Sequence, residues 1–170
     1  MKPSMRYGLI LGGILAAIPL LLFVIGIEKD ETLQTISGFL NVAITAVVIF
    51  MGIREVRTLQ NGYLEFGKGF STGMVISLIA GVISAFFSYL YFTIINPGMI
   101  TYIKMKQEEE MLNRGMSDSE IEKYAGTMEF WTSPVAMSAF SLLGMLLIGL
   151  VVSLICAGIL KKEDPAAQIS

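Results

Sequence analysis

The apolar residues of this chain gather into four long runs, about 7–27, 33–53, 70–95 and 134–160. The first run carries no charge, and as an α-helix it would extend about 31 Å at roughly 1.5 Å per residue. A bilayer's hydrocarbon core is about 30 Å thick and takes about 20 such residues. Asn41 is the most polar member of the second run. The third and fourth runs exceed the minimum, which predicts tilt or overhang into the headgroups. Backbone groups in lipid need partners inside the protein, so all four runs are expected to be helical. Lys2 and Arg6 ahead of the first run suit a cleaved signal peptide or a retained helix. The apolar stretch is longer than the roughly 7–15 residues of a signal core, and no small-x-small site follows it, so retention is expected.

The expected fold is all-α. Residues 1–170 form a single membrane domain, a bundle of four transmembrane helices with a helical extramembrane arm, about 98–132, between the third and fourth. The connections are unequal. Residues 28–32 make a tight acidic turn, so the first two helices form an antiparallel hairpin. Residues 54–69 read as a mixed loop with Arg54, Arg57 and Lys68. The tail opens with Lys161-Lys162 and runs into Asp164-Pro165-Ala166-Ala167, where fraying is expected.

Inside the arm, Ser117-Asp118-Ser119-Glu120 has the form of a capping box, with Met116 and Ile121 placed for a hydrophobic staple. Gly115 stands where a preceding helix needs its C′ glycine. Upstream, Glu110 and Arg114 are an i, i+4 pair. Downstream, Ile121, Tyr124, Ala125, Met128 and Trp131 recur at helical spacing. Two helices are therefore expected, the first prolonging the third transmembrane helix after a kink at Pro97. The stripe of Ile121, Tyr124 and Met128 is too narrow to build a core, which makes these residues the candidate partner-facing positions.

Composition agrees with a membrane protein. Apolar residues make up 54% and charged residues 15%, against about 45–50% and about 25% in ordinary globular chains. Histidine is absent and Cys156 is the single cysteine. Imidazole zinc sites, Ser-His-Asp catalysis, an internal disulfide and a CxxC redox pair are thereby excluded. Net charge is −2 with no basic block, so no nucleic-acid partner is expected. Basic residues near helix ends set orientation. With both termini cytoplasmic, Lys2, Arg6, Arg54, Arg57, Lys68, Lys161 and Lys162 lie inside, while Lys29, Lys104, Lys106, Arg114 and Lys123 lie outside.

Small residues recur four apart: Gly8, Gly12 and Ala16; Gly69, Gly73, Ser77, Gly81 and Ala85; Gly149, Ser153 and Ala157. Such stripes let membrane helices approach closely. Gly8, Gly12, Gly73, Ser77, Gly81, Gly149 and Ser153 are the expected helix-packing positions, used inside the bundle or between two copies. Asn41 is expected to bridge to a neighbouring hydroxyl, and Ser84, Ser88 and Thr93 to bond back to their own helix carbonyls. Cys156 reads as a small apolar filler. The run Glu108-Glu109-Glu110 reads as a solvated face, since adjacent helix residues point apart and make a poor cation site. No Asp, Glu, Lys or Arg lies inside the four runs, whereas proton-coupled carriers and pumps place one there for function. No catalytic, cofactor-binding or metal-ligating residue is expected.

Several motifs resemble a known bacterial family. They are Gly62-Tyr63-Leu64-Glu65-Phe66-Gly67-Lys68-Gly69-Phe70-Ser71-Thr72-Gly73, Tyr91-Phe92-Thr93-Ile94-Ile95-Asn96-Pro97, Gly115-Met116-Ser117, Ser133-Pro134 and Ile159-Leu160-Lys161-Lys162. Their order and spacing resemble the family catalogued as domain of unknown function 4199, common in Bacteroidetes. The resemblance implies a four-helix integral membrane protein and brings no activity, cofactor or catalytic residue with it. The expected function is that of a structural, accessory or assembly subunit of the inner (cytoplasmic) membrane, acting through helix packing and its outer arm. A small channel or carrier for a small or lipophilic solute is the alternative, and an enzyme using the arm's carboxylates ranks behind both. The expected partners are the lipid bilayer and another membrane protein or a second copy of the chain as a homo-oligomer.

Overall fold

The structure, a computed structural model, describes residues 1–162; the tail expected to fray at Asp164-Pro165-Ala166-Ala167 lies outside the described residues. In chain order the helices are α1 (Pro3–Ile25), α2 (Glu31–Leu59), α3 (Phe66–Leu90), α4 (Gly98–Asn113), α5 (Asp118–Trp131) and α6 (Pro134–Leu160), with a π-helical turn, Tyr91–Ile95, after α3. Among the described residues, four stretches are long and apolar enough to cross a membrane: Pro3–Ile25, Glu31–Leu59, Phe66–Ile95 and Pro134–Leu160.

Local chemistry explains most helix ends. Pro3 opens α1 at a position whose N–H has no helical partner. Gly26 closes α1 at φ 79°, its amide reaching Leu22 and Phe23. Asp30 caps α2, its carboxylate accepting from the Leu33 amide at 3.0 Å. The expected loop over 54–69 is shorter in the folded chain, because α2 runs on through Leu59 and α3 begins at Phe66. Hydropathy records where the hydrocarbon ends, whereas backbone hydrogen bonding carries a helix on into the headgroup region. Arg54, Glu55 and Arg57 therefore belong to α2.

The chain divides into two compact units, one of residues 1–84 with 142–170 and one of residues 85–141. In the first, a buried core joins Leu11 of α1, Ile49 and Ile53 of α2, Ile76 and Ala80 of α3, and Met145 and Cys156 of α6. Every buried residue of α1 lies between Gly8 and Gly12, and every buried residue of α2 between Thr45 and Ile53. The remainder of this hairpin, 13–25 and 31–44, has no buried residue, and Phe39 is 75% exposed. Lipid tails are as apolar as these side chains and can cover them without cost.

In the second unit, the third span does not pass smoothly into the arm. The π turn bonds each amide to the carbonyl five residues back, one residue further than in an α-helix. Asn96 then leaves helical geometry at φ −141°, ψ 68°, as expected for a residue ahead of proline. The Asn96 amide donates to the Tyr91 carbonyl at 2.7 Å, and its side-chain Nδ2 donates to the Tyr91 hydroxyl at 3.2 Å. Helix α4 starts afresh after Pro97. It ends in a Schellman motif: Gly115 at φ 83° donates to Leu112 at 2.9 Å, and Met116 donates to Met111 at 3.2 Å. Ser117 then caps α5 through a capping box with Glu120.

Candidate functional site

Three places carry the polar and close-packed features of the molecule. The first is the seam between α3 and α6. An ideal Cβ placed on Gly73 would stand 2.3 Å from Ser153 Oγ, and one on Gly149 would stand 2.0 Å from Ser77 Oγ. Each helix thus lends a serine to the other's glycine. Both serines are completely buried. Ser77 Oγ donates to the Gly73 carbonyl at 2.9 Å, while Ser153 Oγ finds no hydrogen-bond partner among the described residues. Similar contacts set Gly8 against Ile79, Gly12 against Ile83, and Gly81 against Leu142, at 2.7, 2.8 and 2.9 Å from the added Cβ. All seven packing positions therefore lie against another helix of the same chain. Gly52 is an eighth close approach, 2.4 Å from Ile76 Cδ1. A four-residue small-residue spacing misses it, because Val48 and Val56 flank it one turn away on either side.

The second place is the end where α1 begins, α2 and α6 finish and α3 starts. Glu55 of α2 pairs with Arg6 of α1 and accepts from the Tyr7 hydroxyl at 3.0 Å. Arg57 Nε donates to the Gly62 carbonyl at 2.9 Å, holding a turn in which Asn61 and Gly62 both have positive φ. Beyond this turn, Leu64 and Lys162 exchange two backbone hydrogen bonds of 2.8 and 2.9 Å, an isolated antiparallel bridge. The Lys162 ammonium lies 5.5 Å from the centre of the Tyr63 ring. Apart from the local Arg57–Gly62 bond, these pairings join residues far apart in the chain, so none was legible as a site.

The third place is the arm. A groove of about 370 Å³ lies between α4 and α5, lined by Met111, Met128, Tyr124 and Trp131 with Glu110 and Arg114. Of the three expected partner-facing residues, Tyr124 is 51% exposed, Ile121 is half-buried and Met128 is 8% exposed. Met128 is corrected accordingly: it packs inside the arm, because α4 supplies the apolar cover that a lone α5 stripe lacks. Besides Tyr124, the large exposed aromatics of α5 are Phe130 and Trp131, which meet edge to face at 5.2 Å. The carboxylates upstream pair along their own helix, Glu109 with Lys106 at 3.5 Å and Glu110 with Arg114 at 3.7 Å. Glu120 accepts from the Ser117 amide and hydroxyl, both at 2.8 Å. The Ser117 amide first, and the hydroxyl second, hold the Glu120 carboxyl below its ordinary pKa.

Two expectations for buried polar groups need correction. Asn41 Oδ1 is shut away from solvent but meets no hydroxyl, and Ser84 Oγ does not bond back to its helix. Thr93 does so, donating to the Tyr89 carbonyl at 2.6 Å. An unpartnered amide oxygen in an apolar span is costly, and Asn41 lies in the half of α2 that holds no buried residue.

A family model described as protein of unknown function (DUF4199) matches residues 6–162. The chain belongs to this family. No curated protein and no solved structure matches it. With four apolar helices of spanning length, this DUF4199 member is an all-α membrane protein. Among its described residues, no three Cys, Asp or Glu side chains come together as a metal site.

Proposed function

We propose that the protein is a non-catalytic, multi-pass accessory or assembly subunit of a bacterial cytoplasmic membrane, with both termini inside and the arm outside. The observation that carries this reading is the arm's surface. Its own two helices satisfy Met128, yet Tyr124, Phe130 and Trp131 stay exposed on α5. Large exposed aromatics on a charged element suit protein contact. The partner is another membrane protein or a second copy of the chain. The seam supports a structural role, since α3 and α6 approach too closely for a methyl group to fit at Gly73 or Gly149.

The test is a pull-down of the tagged protein from native membranes in mild detergent. The wild type should retain a stoichiometric partner or self-associate, and Tyr124→Glu with Phe130→Glu should lose it while melting unchanged. Partner retention by this folded double variant would overturn the assignment to the arm. The unpartnered Asn41 Oδ1 and Ser84 Oγ favour a second reading, a channel or carrier for a small or lipophilic solute. Solute flux in proteoliposomes, lost in Asn41→Leu, would establish that reading instead.

A further inference from the structure

We infer that the end of the molecule where Leu64 bridges Lys162 is a binding surface for the headgroups of anionic phospholipids. Within the unit of residues 1–84 and 142–170, this end carries Lys2, Arg6, Arg54, Arg57, Lys68, Lys161 and Lys162. Among described residues only Glu55 and Glu65 oppose them there, with Glu163 and Asp164 following in the sequence. Glu55 is already committed to Arg6 and Tyr7. Lys2, Arg54 and Lys68 are exposed, and none forms a salt bridge among the described residues.

The backbone concentrates three of these cations. Gly69 packs against Ala157, its ideal Cβ 3.2 Å from the alanine's. Lys68 adjoins the glycine, and Lys161, whose amide bonds to the Ala157 carbonyl at 2.9 Å, lies one turn beyond the alanine. The Leu64–Lys162 bridge draws Lys162 to the same place. The buried Leu64 and the Arg57–Gly62 bond hold the connecting turn in shape. Tyr63, beneath the Lys162 ammonium, supplies the amphipathic ring that settles at headgroup depth.

Lysines on adjoining helix ends, at the limit of two apolar spans, meet a phosphodiester where the lipid already lies. A bilayer surface charge attracts each such cation by about fivefold in partitioning. Lipid is the occupant that geometry favours over a soluble anion, because the cations stand at the ends of membrane-spanning helices.

The test uses the purified full-length protein in neutral detergent, offered equimolar dioleoylphosphatidylglycerol and dioleoylphosphatidylcholine, with bound lipid counted by native mass spectrometry. The wild type should prefer the anionic lipid by about tenfold. Lys68→Gln with Lys161→Gln and Lys162→Gln should reduce the preference to about twofold or less. Lys104→Gln with Lys106→Gln and Lys123→Gln removes the same charge from the arm and should leave the preference intact. If the first triple variant does not fold, the single exposed change Lys68→Gln should still lower the preference by a few-fold. Equal binding of the two lipids by the wild type, or an equal loss in both triple variants, would overturn the inference. Displacement of the bound lipid by millimolar inorganic phosphate would overturn it too, in favour of a soluble-anion site.

Discussion

Gly149→Ala adds one methyl group at the tightest point of the α3–α6 seam. The new Cβ would stand 2.0 Å from Ser77 Oγ and 2.3 Å from Ser77 Cβ. Carbon atoms in contact prefer about 3.5–4.0 Å. Rotating the hydroxyl relieves the first conflict but sacrifices its 2.9 Å bond to the Gly73 carbonyl. No rotation moves Ser77 Cβ, so α3 and α6 must part by roughly 1 Å or more. That separation also withdraws Ser153 from Gly73, and contact is lost at both serine–glycine pairs.

Overpacking of this kind costs about 1–3 kcal/mol, offset by up to about 1 kcal/mol because alanine is the better helix former. A net loss of about 1–2 kcal/mol corresponds to a fall in Tm of about 2–8 °C for a chain of this size. Cys156 is the only cysteine and is buried on α6, so a thiol-reactive fluorogenic dye reports unfolding at the seam itself. Gly144 and Gly158 lie on the same helix with no atom within 4 Å of an added Cβ. Alanine at either should leave Tm unchanged or raise it. Ser77→Gly should restore part of the loss in the Gly149→Ala background, because it removes the obstructing atoms. If Gly149→Ala melts with the wild type, or Gly144→Ala falls as far, the seam does not govern stability and the reasoning fails.

Acid should loosen the start of α5. The folded pKa of Glu120 is depressed, so its contribution is present above the ordinary carboxylate value and is lost as pH falls through the lowered folded value. The protection factor of the Ser117 amide, its exchange rate corrected for the intrinsic pH dependence of amide exchange, should fall over that window, and Glu120→Gln should flatten the dependence; a constant protection factor in the wild type would contradict it. Orientation is open to single cysteines placed at Ser4, Asn61 and Ser119 in a Cys156→Ala background. An impermeant thiol reagent should label only Ser119→Cys in cells whose outer envelope admits it, and labelling of Asn61→Cys alone would reverse the topology.

Much of the architecture follows from the sequence because the bilayer is a demanding solvent. An apolar run of about 20 residues has one inexpensive backbone conformation in hydrocarbon, so the four spans could be read without any knowledge of their neighbours. The turn between α4 and α5 was equally legible. Gly115, Ser117 and Glu120 act on backbone groups within a few residues of themselves, and local chemistry of that range is written in local sequence. The four-residue spacing of Gly73 and Ser77, and of Gly149 and Ser153, marked surfaces able to approach closely. It did not say which helix would meet which.

Tertiary structure decided the rest. Pairing Ser77 with Gly149 and Ser153 with Gly73 depends on the register of α3 against α6, which periodicity within one helix does not encode. Gly52 became a contact only because Ile76 and Tyr7 were brought to it. Glu55 read as one charge in a mixed loop until α2 extended past the hydrocarbon and met Arg6. Met128 looked outward on an isolated α5 and turned inward once α4 folded against it. Leu64 and Lys162 stand 98 residues apart in the chain, and their bridge exists because helix packing brings the ends of α2, α3 and α6 together. In each case the deciding energy is a contact between distant segments, and a contact has no value until both of its partners are in place.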